Sequence, residues 1–178
     1  FTAGLNYFPN AKEFPGYNTT ADTLSYREPI HLNTVVRAGV NQSDINNSGR
    51  YGFVNFSVFA DKRINYKSSF TAGADVFFAN FLKELIRYEA IALPDSETTG
   101  DEDWKRVGLF IGHELHFNAL SFVSQLGYYV YYPFDFEGRF YNRLGLKRRF
   151  GNHLSGAMTV KSHGAKAEGV EFSVGYRW

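Results

Sequence analysis

The chain has 178 residues, a net charge of +1 and no cysteine. The charge balance gives no electrostatic case for nucleic-acid binding, and the missing thiols exclude disulfides, zinc–thiolate sites and cysteine nucleophiles. Aromatic residues make up 18%, with 18 Phe and 12 Tyr, but no apolar run is long enough for a membrane-spanning helix. A barrel stays open, because its strands alternate and their mean hydropathy is modest.

Period-two alternation predicts nine strands in chain order. Thr2–Phe8 sets Ala3, Leu5 and Tyr7 on one face. A second strand over about 31–41 opposes Leu32, Val36 and Val40 to Asn33, Arg37 and Asn41. A third, about 51–63, opposes Val54, Phe56 and Val58 to Asn55, Ser57 and Asp61. A fourth, about 68–83, opposes Phe70, Ala72 and Ala74 to Thr71, Gly73 and Asp75. The next three cover about 104–117, 119–132 and 139–150, with Glu114, Gln125, Arg143 and Lys147 on their polar faces. The eighth, 153–163, puts His153, Ser155, Lys161 and His163 opposite Leu154, Met158 and Val160. The last, "GVEFSVGYRW", alternates Val170, Phe172, Val174, Tyr176 and Trp178 with Glu171, Ser173, Gly175 and Arg177.

Most of these strands run ten to fourteen residues, against a usual length of about five or six in soluble proteins. A tilted strand needs about 9–11 residues to cross a bilayer. Short connectors such as "HFNA" and "FGN" alternate with longer polar ones such as "ELIRYEAIALPDSETTGDED" and "PFDFEG". That is the loop asymmetry of bacterial outer-membrane barrels. The 22-residue stretch "PNAKEFPGYNTTADTLSYREPI" breaks the rule, being long at the short-turn end. The fold expected is an all-β transmembrane antiparallel barrel, integral to a bacterial outer membrane, spanning residues 1–178 as one region. A soluble β-sandwich also alternates, but its strands seldom run this long.

The polar faces then line a lumen. Asp75, Glu114, Arg143, Lys147, Lys161 and Arg177 are expected to pair across it, since unpaired buried charge is costly. Tyr176 and Trp178 fall where an aromatic girdle is expected. The terminal aromatic resembles the C-terminal signature of bacterial outer-membrane proteins. By alternation His163 and Glu171 both face inward on adjacent strands, where a His–carboxylate pair can orient a general base. Ser155 is inward but near the opposite end, and His153-Leu154-Ser155 is too loose a motif to carry catalysis. The acidic loop holding Asp95, Glu97, Asp101, Glu102 and Asp103 matches no specific calcium spacing. His113 and His116, three apart on a strand, fall on opposite faces and cannot share a metal. No metal or cofactor is expected.

From about residue 104, "RVGLFIGHEL", "SQLGYYVYYP", "YNRLGLKRRF" and "KSHGAKAEGVEFSVGYRW" resemble the acyloxyacyl hydrolase family, which includes outer-membrane lipid A 3-O-deacylases. The resemblance implies a barrel that hydrolyses an ester-linked acyl chain of lipopolysaccharide, with a Ser-His-Glu set built on a His-x-Ser-Asn motif. Carried over, His163 falls on the motif histidine and Glu171 near the acid. Ala165 stands where the nucleophilic Ser belongs, and Lys166 replaces the Asn. Any activity would therefore be lipid A deacylation with the nucleophile outside this chain. Nine strands cannot close in the usual even-numbered pattern, so N-terminal strands are expected before residue 1. The alternative is a non-catalytic barrel subunit of an outer-membrane complex. The partners implied are outer-membrane lipids, lipopolysaccharide and other outer-membrane proteins, with no nucleic acid.

Overall fold

The structure is a computed structural model that describes residues 28–42, 49–93 and 98–178. Eight strands form a closed antiparallel barrel in sequence order. They are β1 (His31–Gln42), β2 (Arg50–Asn65), β3 (Ser68–Ala79), β4 (Arg106–Phe117), β5 (Leu120–Tyr131), β6 (Phe140–Phe150), β7 (Leu154–His163) and β8 (Lys166–Arg177). They coincide within a few residues with eight of the nine expected strands. The remaining one, Thr2–Phe8, lies outside the described residues.

Closure is made by β1 against β8, from Asn33 opposite Arg177 to Val40 opposite Val170. The barrel closes with eight strands, an even number against the nine expected, and β8 pairs with His31–Gln42.

Alternation places side chains as the sequence predicts, but with the polarity of a globular protein inverted. Arg143 and Glu171 are fully buried, while Phe172 and Val174 are 62% and 66% exposed. The outward face carries a continuous run of such residues around the barrel, including Leu32, Phe56, Ile111, Leu126, Leu146 and Met158. Monomers in water rarely show an apolar surface of this extent. Arg139, by contrast, lies before β6 and is exposed, not inside the lumen.

One element was not expected. The stretch assigned to the end of the fourth strand and the loop after it contains α1 (Asn80–Ala92). Its buried residues Phe81, Leu82, Leu85 and Ile86 have the i, i+1, i+4, i+5 spacing of a helical stripe. The run "FFANF" hides the change of period, because its aromatics continue the strand alternation. No side chain caps the helix N-terminus. Packing holds it instead: its stripe joins Phe53, Ala79 and Phe134, with Tyr51, Trp104 and Phe136 at the margin. The helix and the Tyr132–Arg139 connector thus cover the end of the barrel opposite Trp178.

Candidate functional site

The lumen is filled in layers. Nearest Trp178, Arg177 donates to Asp61 at 2.8 and 3.1 Å and to Glu28 at 2.7 Å, and Asn33 donates to Asp61 at 2.6 Å. Next, Lys147 pairs with Glu114. His116 sits between the hydroxyls of Ser69 and Ser121 at 2.6 and 2.7 Å. At the centre Arg143 bonds Glu171 at 2.5 Å, Asp75 at 3.0 Å and Gln125 at 2.7 Å. Arg37 reaches the same two carboxylates at 3.6 and 3.8 Å, and Tyr141, Thr159 and Asn55 complete their acceptor sites. Above this lies an aromatic layer of Phe59, Phe77, Phe110, Tyr129 and Tyr141. Gly127 has no side chain because the Tyr141 ring occupies that space: an added Cβ would meet it at 2.1 Å.

The uppermost layer is the candidate site. Arg106 donates to Glu168 at 2.7 Å, and Lys161 pairs with the other oxygen of Glu168. His163 stands beside them, with Nε2 3.1 Å from the Tyr129 hydroxyl. Its Nδ1 is 3.3 Å from carboxylate oxygens of both Glu168 and Glu137. Phe77 and Tyr129 present their ring faces to the Arg106 guanidinium at 5.7 and 5.0 Å. The connector after β5 closes over the group. Tyr132 stacks on Tyr129 at 5.0 Å, and burial pushes its phenol up to about 12, so it stays protonated and donates to the carbonyl of Phe136. Glu137 adopts a left-handed φ of 63°, uncommon for a residue with a side chain, and so reaches both His163 and Lys166.

The expected pair of His163 and Glu171 is not brought together. Glu171 lies opposite Thr159, four residues down β7 from His163, and is committed to Arg143. The carboxylate beside His163 on β8 is Glu168. A β-bulge explains the difference. Lys161 faces Gly169 while Ser162 faces Ala167, so Glu168 is an extra residue that escapes strict alternation and turns inward. The sequence signal for it is Gly169 next to Glu168, since an added Cβ there would meet Asn41 at 2.4 Å. Arg106, Tyr129 and Glu137 were also missed as neighbours of His163. They come from β4, β5 and the following connector, a convergence no local pattern encodes.

The six expected lumen charges, Asp75, Glu114, Arg143, Lys147, Lys161 and Arg177, are all inside and paired, but in separate layers. Tyr176 and Trp178 are exposed and stack edge to face at 4.8 Å. Ala165 sits in the two-residue turn after His163. His153 donates to the backbone of Arg177 at 2.8 Å, away from Ser155. His113 lies on the outer face and His116 within the lumen. Asp95 and Glu97 lie outside the described residues. Glu102 and Asp103 are held by backbone N–H groups of Thr99, Gly100 and Lys105, which lower both carboxyls below their ordinary range. Among the described residues no three His, Asp or Glu side chains gather as a metal site.

A search of curated proteins finds no match. A solved chain from work on the de novo design of transmembrane β-barrels is 12% identical, with a TM-score of 0.46, covering 85% of this chain and 98% of that one. Residues 30–178 match the family model for the acyloxyacyl hydrolase C-terminal domain. The matched span takes in the whole barrel, and by it this chain belongs to the acyloxyacyl hydrolase family.

Proposed function

We propose that this chain is an integral barrel of a Gram-negative outer membrane, related to the deacylases of lipid A and lipopolysaccharide, and that the barrel does not itself hold the hydrolytic nucleophile. The exposed apolar face meets hydrocarbon, and the paired ionic layers fill the interior. The end bearing Trp178 and the short turns faces the periplasm. The end covered by α1 faces outward, toward the leaflet that holds lipopolysaccharide.

The observation that carries the reading is the surroundings of His163. A general base must be within hydrogen-bond reach of the hydroxyl it activates. Here that reach is taken by the Tyr129 hydroxyl, at 3.1 Å from Nε2, and the residue two after His163 is Ala165. Tyr129 itself is fully buried. On this reading His163, with Nδ1 3.3 Å from the Glu168 carboxylate, stands for the His–carboxylate half of a triad, and the nucleophile belongs outside this barrel.

The test is mass spectrometry of lipid A from cells producing this chain alone. The acyl pattern is expected to stay unchanged, and loss of an ester-linked acyl chain would overturn the proposal. A second reading, a non-catalytic subunit of an outer-membrane complex, is favoured by the burial of His163 and by the Tyr129 hydroxyl on its Nε2. It predicts unchanged lipid A on deleting the whole gene and a second protein co-purifying in mild detergent. A single species on sizing would count against it.

A further inference from the structure

Resting on the membrane reading above, we propose that the outer wall over β2–β5 docks one glycerophospholipid, its acyl chain on Ala60 and Ala72 and its phosphate against Lys62 and His113. A groove of about 570 Å³ opens there. Register makes its floor continuous: Ala60 lies opposite Ala72, Ala72 opposite Ile111 and Ile111 opposite Leu126. The two alanines leave a trough beside Phe70 and Ile111, which stand out at 59% and 67% exposed.

The neighbouring row, one step nearer Trp178, is different in kind. Lys62 lies opposite Phe70, Phe70 opposite His113, and His113 opposite Ser124. This row sets an ammonium, an imidazole and a hydroxyl side by side on a face that is mostly apolar. Polar groups facing hydrocarbon are costly unless another polar group meets them. Among the described residues Lys62 gives one N–H to the Glu28 carbonyl, at 2.6 Å, and has two more to give. The Nε2 of His113 meets the Ser68 hydroxyl at 3.0 Å, and Nδ1 has no partner among the described residues. The hydroxyl of Ser124 likewise has none among them. Asp61, the acid of the groove, is turned to Arg177 and Asn33 inside the barrel.

A cation and two further polar groups, with the carboxylates of Asp61 and Glu28 both drawn to Arg177, match a phosphodiester. The order of the rows matches an amphiphile entering from the Trp178 side, headgroup toward that end and chain toward mid-barrel. A second copy of the chain fits less well, because a two-fold contact would set each patch against itself and bring Lys62 toward Lys62.

The protein, purified in dodecyl maltoside and stripped of lipid, is titrated with dioleoyl phosphatidylglycerol or with dioleoylglycerol, which lacks the phosphate. Binding is read by native mass spectrometry. One phosphatidylglycerol per chain is expected, bound about five-fold or more tightly than dioleoylglycerol. Ala72→Phe, which fills the floor, and Lys62→Gln with His113→Ala are each expected to weaken it about five-fold, while Val174→Phe on the far wall leaves it unchanged. Heat-dependent electrophoretic mobility verifies that each variant is folded. Equal binding of the two lipids, insensitivity to Ala72→Phe, or a dimer cross-linked through this patch would overturn the proposal and leave the membrane reading standing. Recovery of the chain as a detergent-free monomer would remove the membrane reading and this proposal with it.

Discussion

Arg143 is the residue on which the lumen most depends. It is fully buried and bonds two carboxylates that are also fully buried, Asp75 and Glu171. Arg143→Met would leave Arg37, at 3.6 and 3.8 Å, as the cation facing both. The expected loss is about 3–5 kcal/mol, read from the urea midpoint of the protein refolded into lipid vesicles. Arg143→Lys should recover only part of it, since an ammonium cannot reproduce the forked contact with Glu171. Gly127→Ala should cost about 1–3 kcal/mol by displacing the Tyr141 ring. Alternation alone identified Arg143 as an inward residue, because a strand has only two faces. It failed at Glu168, where one bulge changes the face and sets a different carboxylate beside His163.

At the scale of elements, α1 and the connectors around it are the part that packing decides. The helix has no side-chain N-cap, so its docking rests on the apolar stripe. Ile86→Asp should detach it at a cost of about 2–4 kcal/mol, seen as fast amide exchange over Asn80–Ala92 with protection of the strands retained. The turn holding Glu102 and Asp103 should respond to acid. Both carboxyls titrate below their unfolded values because backbone N–H groups hold the charged forms. Their contribution is therefore complete above the unfolded value and disappears as pH falls through the folded one. Protection of the Thr99, Gly100 and Lys105 amides should fall on acidification, and a flat profile would contradict this. The helix itself was illegible because its first turn shares aromatic spacing with β3, and its partners Phe53 and Phe134 are distant in sequence.

For the whole molecule, the paired layers predict a closed interior. Purified protein in planar bilayers should show no steady ion conductance, and a stable open channel would contradict the packing described. The covered mouth and the Tyr129 hydroxyl on Nε2 of His163 favour the same result for hydrolysis by this chain alone. On the proposed membrane reading the apolar outer face meets hydrocarbon, and the groove at Ala60 and Ala72 interrupts it.

The sequence alone determined the class of fold, the inward and outward sets along the strands apart from Glu168 at the bulge, and the family. All three follow from a period of two sustained over long strands and from local motifs. Tertiary structure decided the rest: closure at eight strands, which depends on β1 meeting β8, the helix over the mouth, and the neighbours of His163. Those are contacts between residues far apart in the chain, set by register, a bulge and packing, so no short window of sequence contains them.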